Sequence, residues 1–144
     1  MENLGIAFMG DTKGGPFDIP EALALEMLGA PNPDGRSNAD VVRPWVNGLD
    51  ITRRPRRMWI IDFGTDMSAE EAAKYEAPFE YVRARVRPTR IENKRASYAE
   101  RWWLHVEPRS GMRAALTGLH RFIGTPRLTK YRLFVWLKPE TLPD

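Results

Sequence analysis

Arginines and aromatic rings interleave through the second half of the chain. They run Arg95, Tyr98, Arg101, Trp102, Trp103 and Arg109, then Arg121, Arg127, Thr129, Lys130, Tyr131 and Arg132. Arg and Lys neutralise phosphates and release their counterions. Thr and Tyr hydroxyls position a duplex, and an Arg fork matches guanine O6 and N7. The mixture suits nucleic acid. Two blander readings stand beside it. Trp102 and Trp103 are large aromatics, which at helical spacing are usually buried. In 127–132 a period-2 alternation puts Arg127, Thr129 and Tyr131 on one face of a strand and Leu128, Lys130 and Arg132 on the other. A solvated strand has the same pattern.

Other chemistries have less to stand on. With no cysteine, the chain has no disulfide, no thiolate metal site and no cysteine nucleophile. His105 and His120 are the only histidines and form no two-histidine metal motif, so each reads as a satisfied core or surface residue. There is no serine-hydrolase elbow and no phosphate loop, and the glycines of 10–15 lack the spacing that cradles a nucleotide. Asp62 ends an apolar run, with Asp66, Glu70 and Glu71 after it. Such acids would serve a metal-dependent nuclease. They equally describe a strand end followed by helix-capping residues.

The elements that must hold these residues fit one domain of 144 residues, 42% hydrophobic and 28% charged. The formal net charge of +3 hides a split. Residues 1–80 carry 8 basic and 14 acidic side chains, whereas residues 81–138 carry 14 basic and 3 acidic. Seventeen of the 22 basic residues are Arg. An Arg-rich half points to a polyanionic partner or to pairing with the acidic half. No apolar run is long enough to span a membrane, and Met1-Glu2-Asn3 lacks the form of a signal peptide, which makes the cytoplasm the default location.

Leu4–Met9 reads as a short strand and 10–15 as a turn. Pro20 to Leu28 reads as a helix, with Pro20 at its start and Gly29 at its stop. Asn32-Pro33-Asp34-Gly35 is a turn. Over 40–49 the apolar spacing is helical, but Pro44 and Gly48 limit any helix to a turn or two. Arg57–Phe63 is a strand. Ser68 with Glu71 is a capping box that opens a helix to about Tyr75, and a second helix runs from Pro78 to Val86. Helices are expected over 91–105 and 108–119, and strands over 121–125 and 128–137. The expected class is α+β, a single domain over 1–144, with N- and C-terminal strands in a mixed or antiparallel sheet and several helices between them.

Several segments in order carry a resemblance. They are Gly5-Ile6-Ala7-Phe8-Met9-Gly10 with Gly14-Gly15, Asn38–Gly48, Trp59-Ile60-Ile61-Asp62-Phe63, Glu70–Tyr75 and Pro78–Arg83. The most specific are Tyr98-Ala99-Glu100-Arg101-Trp102-Trp103 and Thr125-Pro126-Arg127-Leu128-Thr129-Lys130. Together they resemble the target-recognition region of MmeI-like restriction–modification enzymes and related adenine-specific DNA methyltransferases. The resemblance implies a module that reads double-stranded DNA beside the methyltransferase domain of a longer chain, which flips the target base. The implied methyl donor, S-adenosylmethionine, belongs to that other domain. This chain has neither the Gly-rich cofactor loop nor an Asn/Asp-Pro-Pro-aromatic motif, since Asn32-Pro33-Asp34 lacks the second proline and the aromatic. No catalytic, cofactor or metal residue is therefore expected in it. The family's region also continues past the equivalent of Asp144, which implies a C-terminally incomplete fragment.

Arg-richness and resemblance together make Arg127, Thr129, Lys130 and Arg132 the expected DNA contacts, with Arg95, Arg101 and Arg109 expected on phosphates. Two alternatives remain open. The basic surface would instead dock on the acidic surface of the methyltransferase domain, or Asp62 and a nearby acid would make a small metal-dependent nuclease.

Overall fold

The computed structural model describes residues 5–144. Its centre is a four-stranded sheet. Strand β1 (Asp18–Ile19) leads directly into helix α1 (Glu21–Gly29). Pro20 supplies the fixed φ at the helix start, and Glu21 faces the positive end of the helix. The carbonyls at the other end of α1 are met by a buried side chain from beyond the next turn. Asn38 Nδ2 donates to Met27 O (2.7 Å) and to Ala30 O (3.2 Å), while Asn32 Nδ2 donates to Asn38 Oδ1 (2.8 Å). These bonds make up for the missing intrahelical partners.

Strand β2 (Val42–Val46) and helix α2 (Gly48–Thr52) occupy the stretch where the spacing predicts only a turn or two of helix. Val41, Val42 and Trp45 are all buried, so the apolar residues fill two faces of a central strand rather than one helical stripe. The short helix is displaced to α2, where Asn47 and Asp50 form a reciprocal capping box. Strand β3 (Trp59–Ile61) pairs antiparallel with β1 and β2. After it come α3 (Ala69–Ala72), opened by the Ser68 hydroxyl on the Glu71 amide, then α4 (Glu76–Arg85) and α5 (Arg87–Ile91). The expected helix over 91–105 shrinks to α6 (Ala96–Glu100), because Arg101 leaves helical geometry at φ −112° and ψ 45°. Helix α7 (Ser110–Leu116) stands for 108–119.

Strands β4 (Phe122–Gly124) and β5 (Val135–Leu137) make a separate antiparallel pair, with Phe122 opposite Leu137 and Gly124 opposite Val135. The last strand, β6 (Leu142–Pro143), returns to the main sheet parallel to β2, giving the order β1-β3-β2-β6. The architecture is α+β, as expected, with a mixed main sheet. Its core gathers Phe17, Ile19, Val41, Ile60, Ile61, Phe63, Val82 and Val86.

Two expected strands change. Residues 5–9 are irregular, with Gly5 in a turn at φ +83°, while Leu4 lies outside the described residues. The strand over 128–137 forms only at Val135–Leu137. Residues 127–134 carry three cations and make a local bond instead, in which the Tyr131 amide donates to Thr129 Oγ1 (3.3 Å). The period-2 faces of Arg127–Arg132 therefore do not exist, and the segment is an exposed loop at the tip of the β4–β5 hairpin. Among the described residues no helix is long and apolar enough to cross a membrane.

Candidate nucleic-acid interface

The hairpin and its loop sit on a scaffold tied by a buried ionic network. His105 lies between the opening segment and the sheet. Its Nδ1 is 2.7 Å from Asp11 Oδ1 and its Nε2 is 2.9 Å from Ile61 O. A carbonyl only accepts, so Nε2 carries a proton. The ring also stands edge-on to Phe17, with centroids 4.6 Å apart. Arg113, from α7, joins two buried carboxylates: Nη2 donates to Asp11 Oδ2 (2.7 Å), and Nη1 and Nη2 donate to Asp62 at 2.7 and 3.0 Å. Arg43 of β2 donates to the same Asp62 (3.2 Å) and reaches the carbonyls of Pro139 and Glu140, just before β6. Burial pushes the Asp62 carboxyl up. The Arg113 hydrogen bonds, the charges of His105 and Arg113 and the Gly64 amide outweigh it and hold the group down to about 2. The network thus locks the opening segment, β3, α7 and the approach to β6 into one body. The opening segment is further held where Asp11 N donates to Pro143 O (2.8 Å).

A cleft of about 590 Å³ opens between this body and the hairpin. One wall is the end of β2 and α2, from Val46 to Thr52; the other is Gly124 to Leu128; Phe8 to Thr12 and Pro143-Asp144 form the floor. The walls come close where Pro126 packs over Gly48, within 3.5 Å of where a Cβ would stand. Arg127 lines the cleft, and Leu128 beside it is 89% exposed. Lys130 lies 5.3 Å from the Tyr131 ring centre, and Tyr131 is exposed. Arg127, Lys130 and Arg132 are exposed and have no carboxylate within salt-bridge distance among the described residues. Thr129 is half-buried.

The remaining expected contacts are dispersed. Arg95 is exposed, lies over the Tyr98 ring at 5.4 Å and donates to its hydroxyl (2.8 Å). Exposed Arg101 donates to Thr65 O (2.8 Å). Arg109 is spent on structure. It pairs with Glu107, donates to Gly10 O (3.1 Å) and holds a left-handed backbone at φ 52°. Trp102 and Trp103 follow the core reading. Trp102 packs on Phe79 (5.4 Å) and on Trp103 (5.8 Å), and Trp103 Nε1 donates to Met67 O (2.8 Å). Arg90, at 2% exposure, bonds the carbonyls of Lys13 and Leu104 and stacks on Phe17 and Tyr98.

The chain matches no family model, no curated protein and no solved structure.

Three acids of the nuclease alternative are engaged by other groups. Asp62 is committed to Arg113 and Arg43, Asp66 accepts from the Thr65 hydroxyl, and Glu71 pairs with Lys74 and Arg36. Among the described residues no group of three acidic or histidine side chains is placed to hold a metal ion. Nor do the glycines of 10–15 fit a cofactor cradle. Gly14 packs against Val106, and the Thr12 amide and carbonyl pair with Glu107. Sequence reasoning missed Asp11 and Arg113. The one local hint was an Asp at the end of an apolar strand, which in a buried position requires a cation.

Proposed function

We propose that this chain is a DNA target-recognition module of a larger S-adenosylmethionine-dependent adenine-N6 methyltransferase or restriction–modification enzyme, acting in the cytoplasm on double-stranded DNA. One observation carries the reading. The loop 127–132 presents Arg127, Lys130 and Arg132 to solvent without carboxylate partners among the described residues, next to an exposed tyrosine and an open cleft. Unpaired guanidinium and ammonium groups on a loop held by a rigid scaffold are what phosphate contact requires, and a ring beside them offers a stacking face. The ordered sequence resemblance supplies the specificity and the methyltransferase partner. In this reading methyl transfer falls to that partner domain, as the resemblance implies.

The test is charge reversal at Arg127 and Lys130 in the full-length enzyme. Removing two phosphate contacts and adding repulsion is expected to weaken duplex binding at least tenfold at 0.1 M salt. Unchanged affinity would refute the assignment.

A second reading has its own observation. Ile123 and Trp136 face each other across the hairpin and are 54% and 58% exposed, with Phe134 beside them also exposed. An apolar hairpin face suits docking on another protein surface, such as the partner methyltransferase domain. Serine at Ile123 and Trp136 would then release that domain and spare binding to duplex DNA.

A further inference from the structure

We infer that the exposed turn Arg53-Arg54-Pro55-Arg56-Arg57 is a second phosphate-binding arm, set across the cleft from the 127–132 loop. This rests on the nucleic-acid reading above and assigns a further surface to it. Four of the five residues are arginine, and all five are exposed. Only Arg56 has a carboxylate partner, and that pair fixes the turn rather than neutralising it. Arg56 Nε and Nη2 donate to Asp50 at 3.0 and 2.9 Å, and its backbone amide donates to the same carboxylate at 2.9 Å. Asp50 is itself held in the capping box of α2, so the turn is clamped to that helix.

The clamp leaves Arg53, Arg54 and Arg57 pointing their charge at solvent with no acid in reach among the described residues. Like charges held this close repel one another unless an anion intervenes. The backbone adds a cost of its own. Arg57 sits at φ 55°, a left-handed conformation that a non-glycine residue adopts at on the order of 1–3 kcal/mol. A rigid, strained turn that concentrates unpaired guanidiniums is poorly explained as a solvated loop. It is well explained as a preformed anion surface.

Its position gives the ligand. Helix α2 walls the cleft as far as Thr52, and the arm begins at the next residue. Arg127 lines the opposite wall. The arm thus adjoins the end of one wall and Arg127 lines the other, while the floor carries no lysine or arginine and ends at the exposed Asp144. A single small anion would meet one side. A nucleic-acid backbone, with phosphates repeating along its length, meets both.

The experiment is duplex binding by fluorescence anisotropy from 50 to 300 mM salt, comparing the wild-type chain with R53Q/R54Q/R57Q, which leaves the Asp50–Arg56 clamp in place. A thermal melt establishes that the variant is folded, and Arg57→Gln alone gives the same comparison with one arginine removed. Each phosphate contact contributes about 0.9 to the slope of log affinity against log salt. The inference predicts that the triple variant's slope is smaller by about 2–3 and the single variant's by about 1. Unchanged slopes in variants of a chain that binds would overturn the arm and leave the function standing. A wild-type chain that binds no duplex at 50 mM salt would overturn both.

Discussion

Replacing Arg113 by Met should destabilise the chain strongly. The methionine fills the stem's volume and removes the fork that joins Asp11 to Asp62. Both carboxylate side chains are almost wholly buried. Taking one partner from a buried ion pair costs about 3–5 kcal/mol, because the remaining charge is left without compensation. Here Arg43 stays on Asp62 and His105 stays on Asp11, which places the loss near the lower end, about 3 kcal/mol. With a urea dependence of about 2 kcal/mol per molar, the unfolding midpoint should fall by about 1.5 M.

The sign of the pH response is a sharper signature. In the wild type the Asp62 carboxyl is held at about 2, below its ordinary 3.8. Its contribution, about 2 kcal/mol, is complete above pH 4 and is lost as pH falls towards 2. Without Arg113 the effect of burial is no longer outweighed, so the carboxyl shifts upwards. The variant should then recover part of its deficit on acidification from pH 7 to pH 4, where the wild type is still flat. A midpoint shift below about 0.5 M, or parallel pH profiles for the two proteins, would refute the reasoning.

Three further outcomes follow from the same structure. Gly14→Ala should lower stability by about 2 kcal/mol or more, since a Cβ there would stand 2.4 Å from Val106 Cγ1 on a backbone at φ +64°; a melting temperature within two degrees of wild type would contradict it. Asn38→Ala should cost about 2 kcal/mol by stranding the carbonyl of Ala30 and one amide proton of Asn32 and by removing one of the two bonds to the Met27 carbonyl, which keeps the Ala30 amide, read from the denaturation midpoint. Arg109→Gln should destabilise the chain by about 1 kcal/mol and leave the salt slope of duplex binding unchanged, because that arginine is engaged with Glu107 and Gly10. A reduced slope would return Arg109 to the interface.

What was legible in the sequence had local causes. Helix α1 announces itself through Pro20 and its acidic first turn, β3 through Trp59-Ile60-Ile61, and α3 through Ser68 and Glu71. Misreadings arose where tertiary contacts decide. The apolar residues of 41–46 have helical spacing but fill both faces of a central strand. Trp102 and Trp103 continue a helical pattern, yet they pack in different directions, on Phe79 and on the Met67 carbonyl, and the helix stops before them. The strand expected over 128–137 gives up its first half, where a local Thr129–Tyr131 bond forms in place of a ladder. The ionic network was the least legible part. Asp11 and Arg113 lie 102 residues apart, and no periodicity links them. At the candidate interface the residue types were legible and their roles only partly so. Arg109 and Arg127 look alike in the sequence, and only their neighbours separate a structural arginine from an exposed one.

Binding of the wild-type chain to a labelled random duplex, measured by anisotropy across salt, tests the central claim most directly. The loop and the arm together offer six cations, Arg127, Lys130, Arg132, Arg53, Arg54 and Arg57, without carboxylate partners among the described residues. Non-specific affinity of about 1–100 μM at physiological salt is therefore expected, weakening with a log–log slope of about −3 to −5. Absence of binding at 50 mM salt, or binding whose strength ignores salt, would contradict the account.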